Sequence, residues 1–229
     1  MVKWDWQGKD FRVKVLFSAK GLATQVLVSS RQWLYLLDCG DGTSRDLALT
    51  GLPWVDRLQA ILISHDHPDH TAGLFGVLTY MRLRGRKKTV FVLSPEQCVF
   101  SLLSFFRDST FAGFPFELEF NKVDEETEFH FEDLSVLAFH ALHRQRTDFF
   151  GVGGLLKAVG YLLQGPGGEK VFYSGDTGWF PGIEDLIRGA DLALIEATFD
   201  FPKGPERHLT LKEAEELGKL AKKAIYIHR

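Results

Sequence analysis

The chain has 229 residues, 45% hydrophobic and 25% charged, enough for one α/β domain with a sizeable core. A net charge of −3 provides no global attraction to nucleic acid. No apolar run reaches the ~18 residues of a membrane span, and the opening MVKWDWQGKD lacks the apolar centre of a signal peptide.

Phe11 to Phe17, Thr24 to Ser29 and Trp33 to Leu37 are apolar or β-branched runs separated by turns, and they predict an antiparallel meander. LLDCGDGTSRDLAL follows. Asp38 stands at a strand end, Gly40 and Gly42 let the backbone turn, and Thr43 or Ser44 is expected to cap a helix running to Leu49. Asp38 and Asp41 are either ordinary turn residues or acceptors that hold a neighbouring loop by its imidazole and backbone donors. Cys39 sits in an apolar run and is expected as a reduced, buried thiol, consistent with the cytoplasm; Cys98 is the other cysteine.

The densest chemistry is in ILISHDHPDH. A buried strand, Ile61 to Ile63, empties into His65, Asp66, His67, Asp69 and His70. In an extended chain, His65 and His67 point to one side because side chains repeat every two residues. Pro68 ends the extension and leaves Asp69 and His70 at the mouth of the next helix. The pairs His65/His67 and Asp69/His70 therefore suit two metal ions. Imidazole with carboxylate favours zinc, with manganese or iron as competitors.

His70 to about Arg84 is predicted helical, with Leu74, Val77, Leu78 and Met81 on one stripe. The basic run Arg82, Arg84, Arg86, Lys87 and Lys88 reads as a solvated turn, with a phosphate-binding patch as the alternative. A strand from Thr89 to Leu93 precedes a helix opened by Ser94-Pro95 and ending near Arg107. Phe111 to Phe116 is either core or a lip over the metal site. Strands are expected at Glu117 to Val123, Glu128 to Phe131 and Leu134 to Leu142, the last leading to His143. His130 and His140 have no motif around them and read as structural or surface residues.

Thr147 to Lys157 is a glycine- and phenylalanine-rich loop, and Ala158 to Gln164 with Lys170 to Ser174 forms a hairpin. That hairpin delivers SGDTG, in which Asp176 is either a turn residue or a carboxylate able to bridge two metals. A short helix (Ile183 to Arg188) and a strand (Asp191 to Glu196, ending in EATF) follow, then a polar loop from Pro202 to Arg207. Thr210 with Glu213 forms a capping box for a helix from Leu211 to about Lys222, and the last strand, Ala224 to Ile227, carries His228. The two halves share a loosely similar order of strands and helices, as in a duplicated βαβ arrangement.

Taken in order, DCGDGT, HDHPDH, His143-Arg144, SGDTG, EATF, HLT and His228 resemble the metallo-β-lactamase-fold hydrolases, and within them the ribonuclease Z type. The resemblance implies a four-layer αββα sandwich formed by residues 1–229 as one domain. It also implies a two-metal centre: His65, His67 and His143 on one ion, Asp69, His70 and His228 on the other, and Asp176 bridging. The catalytic residues it implies are Asp69, His208 and the supporting Glu196.

The implied function is that of a metal-dependent phosphodiesterase, a cytoplasmic nuclease using a hydroxide bridged between two ions about 3.5–4 Å apart. Its partner is a phosphodiester substrate, RNA included, and a homodimer is compatible with these features. The alternatives are hydrolysis of another ester (lactone, thioester or sulfate ester) or a non-catalytic metal-binding module. Three departures bear on substrate. The segment from His143 to Asp176 is too short for the long arm that clamps tRNA, the family's P-x-K-x-R-N loop has no match, and Ile195 replaces the histidine before the EAT segment. Family members also normally continue past the last ligand, whereas this chain ends at Arg229.

Overall fold

The computed structural model describes residues 3–95, 99–100, 104, 115–143, 157–201 and 208–229. The chain divides into two units, Met1–Val123 and Asp124–Arg229. Each is built on one mixed sheet with helices, as the α/β class requires.

In the first unit the strands lie side by side in chain order: β1 (Trp6–Gln7), β2 (Arg12–Ala19), β3 (Ala23–Ser29), β4 (Leu34–Leu37), β5 (Leu58–Leu62), β6 (Val90–Ser94) and β7 (Leu118–Lys122). The expected meander holds, since β1 to β4 pair antiparallel. From β4 onward the pairing is parallel. Parallel neighbours need crossovers, which here contain α1 (Thr43–Leu49), α2 (Trp54–Arg57), α3 (Pro68–Thr71) and α4 (Leu74–Leu83). The core packs Leu36, Ile61, Ile63 and Val92 of the sheet with Leu47 of α1 and the predicted α4 stripe Leu74, Val77, Leu78 and Met81.

The single helix expected from His70 to Arg84 is two helices. Pro68 takes the first position of α3, and the chain breaks between Thr71 and Leu74 before resuming as α4. Close approach explains Gly73 at that break. A Cβ there would collide with the Gly40 carbonyl oxygen, and one on Gly40 would collide with Asp69 oxygen and Ala23. Gly40 is thus required by contact. Gly42 is the residue that needs a left-handed backbone, at φ 79°, and it rather than Thr43 or Ser44 is the N-cap of α1. Thr43 lies inside the helix, its hydroxyl 2.6 Å from the Gly40 carbonyl oxygen.

The basic turn also differs from expectation. Arg86 is only 1% exposed. Its guanidinium donates to the carbonyls of Lys88 and Thr89, both at 2.8 Å, and of Val55. Lys88 extends over the Trp33 ring, 4.6 Å from its centroid. Donation to three carbonyls accounts for a cation inside this unit, since a buried charge needs hydrogen-bond partners.

The second unit repeats the scheme with β8 (Glu128–Phe131), β9 (Leu134–His140), β10 (Val159–Gln164), β11 (Lys170–Tyr173), β12 (Leu192–Glu196) and β13 (Ala224–Ile227), again neighbours in chain order. β8 to β11 are antiparallel and β11 to β13 parallel. The crossovers carry α5 (Ile183–Ile187) and α6 (Leu211–Gly218). Ile183, Ile187, Ala214 and Leu217 pack on Phe172, Ala193 and Ile195. The capping box at Thr210 and Glu213 forms as predicted. The helix stops earlier than expected, where Gly218 meets Tyr226 and Ala224 too closely for any side chain.

Among the described residues no helix is long and apolar enough to cross a membrane. Beyond Pro95, only Val99, Phe100 and Ser104 of the helix expected to end near Arg107 are described; Cys98, most of the Phe111 run, Arg144, Arg146, residues 147–156 of the expected loop and the loop 202–207 lie outside the described residues.

Candidate functional site

Both sheets place titratable groups beyond the carboxyl ends of strands, most of them parallel-paired, where open α/β sheets place ligands. In the first unit, Asp38 leaves β4 and Ser64, His65 and His67 follow β5. Asp38 is fully buried. Its Oδ1 accepts the Ser64 amide at 2.7 Å. Its Oδ2 accepts the Ser64 hydroxyl at 2.8 Å and His70 Nδ1–H at 2.7 Å. Of the two roles left open for Asp38, this is the one that holds an imidazole and a backbone donor; Asp41 is exposed.

The predicted pairs come together. His65 Nε2 lies 3.0 Å from His67 Nδ1. His70 Nε2 lies 3.7 Å from Asp69 Oδ2, and Asp69 Oδ2 accepts the Gly21 amide of the β2–β3 turn at 3.0 Å. The His65 and His70 ring centroids are 4.2 Å apart. Backbone bonds from Cys39 N to His70 O and from Gly73 N to Cys39 O, both 2.8 Å, fasten this loop to the end of β4.

Cys39 is the buried free thiol expected. Burial pushes its pKa up to about 12, with Asp38 adding to the rise and a Thr43 hydrogen bond opposing it.

In the second unit, His143 follows β9, Asp176 follows β11, Glu196 ends β12, His208 precedes α6 and His228 follows β13. Ligand atoms of His143, Asp176 and His208 lie within 4.8 Å of one another, as do those of Glu196, His208 and His228. His228 Nε2 is 3.5 Å from Asp176 Oδ2. The Glu196 carboxylate is fully buried. It accepts the amides of Thr177 at 2.9 Å and Thr198 at 3.1 Å, the Thr198 hydroxyl at 2.6 Å, and His208 Nδ1–H at 2.8 Å.

His130 and His140 lie apart from these groups, with side chains 71% and 46% exposed, beside Glu128 and Glu125. Their reading as surface residues holds.

The donor set fits a divalent cation. Ligands about 2.0–2.1 Å from a tetrahedral ion lie about 3.3–3.4 Å from each other, close to the separations of His65 from His67 and of His228 from Asp176. A carboxylate behind the far nitrogen of a ligating histidine is the usual support of such sites, and Asp38 stands so behind His70.

Backbone strain concentrates here too. Among the described residues, non-glycine residues with left-handed φ are Asp38 (56°), Glu126 (67°) and His228 (59°). Sequence reasoning missed Ser64 and Thr198. The signal was available in part: Ser64 directly precedes His65, and Thr198 is the third letter of EATF.

A model of the beta-lactamase superfamily domain matches residues 34–228. The ribonuclease Z of Parabacteroides distasonis is 28% identical, across 87% of this chain and 80% of that protein. The short form of human tRNase Z superposes with a TM-score of 0.75 at 24% identity, covering 94% of this chain and 91% of that one. The metallo-beta-lactamase fold protein YhfI of Bacillus subtilis does so with a TM-score of 0.76 at 17% identity, covering 96% and 87%. These superpositions identify the fold as that of the metallo-β-lactamases.

Proposed function

Since the chain belongs to the beta-lactamase superfamily, we propose that it is a metal-dependent phosphodiesterase of the ribonuclease Z type. In this reading, residues 1–229 act as one functional domain. His65, His67 and His143 hold one divalent ion, Asp69, His70 and His228 a second, and Asp176 bridges them. Zinc is the proposed metal, because borderline-soft ions favour mixed imidazole and carboxylate ligands. The reduced thiol at Cys39 fits the cytoplasm.

Two ions so held would neutralise charge building on phosphate oxygens and lower the pKa of an attacking water. The protein's own groups supply the rest. Asp69, restrained by the Gly21 amide, orients the water while ligating. Glu196 accepts the Nδ1 proton of His208, and in the imidazolium form the Nε2–H would go to the leaving oxygen or stabilise the crowded phosphorus, leaving a neutral ring still held at Nδ1. This lock on His208 is the observation that carries the reading. By fixing the tautomer it determines that Nε2 is the atom presented to the site, as Asp38 does for His70; the metal content of a His208 variant then separates proton donor from ligand.

RNA ends and small phosphodiesters are the proposed substrates, the former supported by the ribonuclease Z relatives. A second reading, hydrolysis of a different ester, rests on the absence of a long clamp: from Val159 to Tyr173 the chain is a tight hairpin. Turnover of bis(p-nitrophenyl) phosphate and a tRNA precursor, set beside lactones, thioesters and sulfate esters, separates the two. Preference for phosphodiesters is expected. A lactone or thioester cleaved much faster than any phosphodiester would sink the first reading.

A further inference from the structure

Each unit contains a three-part relay of carboxylate, hydroxyl and imidazole. In the first, the Ser64 hydroxyl donates to Asp38 Oδ2 at 2.8 Å and its oxygen lies 3.0 Å from His65 Nδ1. In the second, the Thr198 hydroxyl donates to Glu196 Oε2 at 2.6 Å and its oxygen lies 2.8 Å from His228 Nδ1. A hydroxyl has one proton and two lone pairs, whereas an ionised carboxylate only accepts. The hydroxyl proton therefore goes to the carboxylate, and only lone pairs face the ring. Nδ1 must then carry the imidazole proton, which leaves the electron pair on Nε2.

We propose that Ser64 and Thr198 are positioning residues that set the tautomer of His65 and His228, so that each ring offers Nε2 to a divalent cation. This rests on the ligand assignment above. Both Nε2 atoms face another assigned ligand, His67 Nδ1 at 3.0 Å and Asp176 Oδ2 at 3.5 Å. The same two carboxylates hold a second ring directly, Asp38 that of His70 at 2.7 Å and Glu196 that of His208 at 2.8 Å. One buried carboxylate per unit thus governs two imidazoles, one by contact and one through a hydroxyl.

The relays share chemistry rather than sequence. Each joins the carboxyl ends of two adjacent parallel strands, β4 with β5 and β12 with β13. In the first unit the hydroxyl is beside the histidine in sequence, and in the second it is two residues from the carboxylate. Both hydroxyl residues are buried, so water does not readily replace them. Asp38 and His228 hold left-handed backbones at the relay ends, a cost that the three-way contact offsets.

The test has two arms. Nitrogen-15 NMR of the metal-free protein reads the tautomers directly. Nδ1–H is expected for both His65 and His228, and Nε2–H on either overturns the proposal even if no variant folds. Zinc affinity, measured by competition with a chromophoric chelator, is expected to fall about 10–100-fold in Thr198→Val and in Ser64→Ala. Thr198→Ser and Ser64→Thr should restore it. Wild-type affinity in both Thr198→Val and Ser64→Ala overturns the proposal. A wild-type protein that binds no zinc overturns instead the ligand assignment on which it rests.

Discussion

His208 Nδ1 lies 2.8 Å from Glu196 Oε1, the same oxygen that accepts the Thr177 amide at 2.9 Å. A ring pinned on that side has only Nε2 to offer, whether to an ion or to a leaving oxygen. His208 shares ligand-like spacing with His143 and Asp176, so distance alone permits it to bind metal. As a general acid, its removal costs about 10²–10⁴ in rate and leaves the metal in place. His208→Ala should therefore retain wild-type metal content, read by elemental analysis, and lose most turnover. An emptied site would make His208 a ligand and this assignment wrong. His67→Ala, by contrast, should lose metal and turnover together.

Arg86 is the position where charge and role separate. The guanidinium satisfies three carbonyls from inside the first unit. Burial lowers its pKa to about 10, opposed by Asp56, which still leaves it charged at neutral pH. Arg86→Met removes those donors and should destabilise the protein by about 3 kcal/mol, because each stranded acceptor costs about 1–3 kcal/mol and local rearrangement recovers part. Urea unfolding measures this. Unchanged stability with weakened RNA binding would return Arg86 to the phosphate-patch reading.

Cys39 predicts a pH dependence whose sign follows from its burial. The ordinary value is 9.0 and burial raises it to about 12. Below pH 9 the thiol is protonated both folded and unfolded, and its contribution is fully present. Between those values the unfolded chain releases its proton first, so stability falls as pH rises, by at most about 1.4 kcal/mol per unit from this group. The difference in unfolding free energy between wild type and Cys39→Ser should shift along that slope above pH 9. A difference that stays flat would mean the thiol ionises in the folded state near its ordinary value.

What the sequence revealed was what local pattern dictates. The alternation that faces His65 and His67 to one side, the α4 stripe and the Thr210–Glu213 box each involve neighbours within a few residues, and each is found in the structure. What it hid depends on contacts between distant segments. Gly40 and Gly73 look like turn glycines until their backbones are seen to touch. Arg86 reads as one of five surface cations until the Val55 carbonyl is found beside it. The Glu196–Thr198–His228 relay joins residues 30 positions apart, and no periodicity announces it. Thr43 failed as a predicted cap because Gly42 can adopt the left-handed turn that a β-carbon disfavours.

The proposal depends on imidazole and carboxylate side chains making divalent cations do the work of hydrolysis. The most direct test is the turnover of bis(p-nitrophenyl) phosphate by chelator-stripped protein as zinc is added back. Turnover should be absent without metal, rise with zinc and saturate at two equivalents per chain. Full turnover in the stripped protein, or none at zinc saturation, would contradict it.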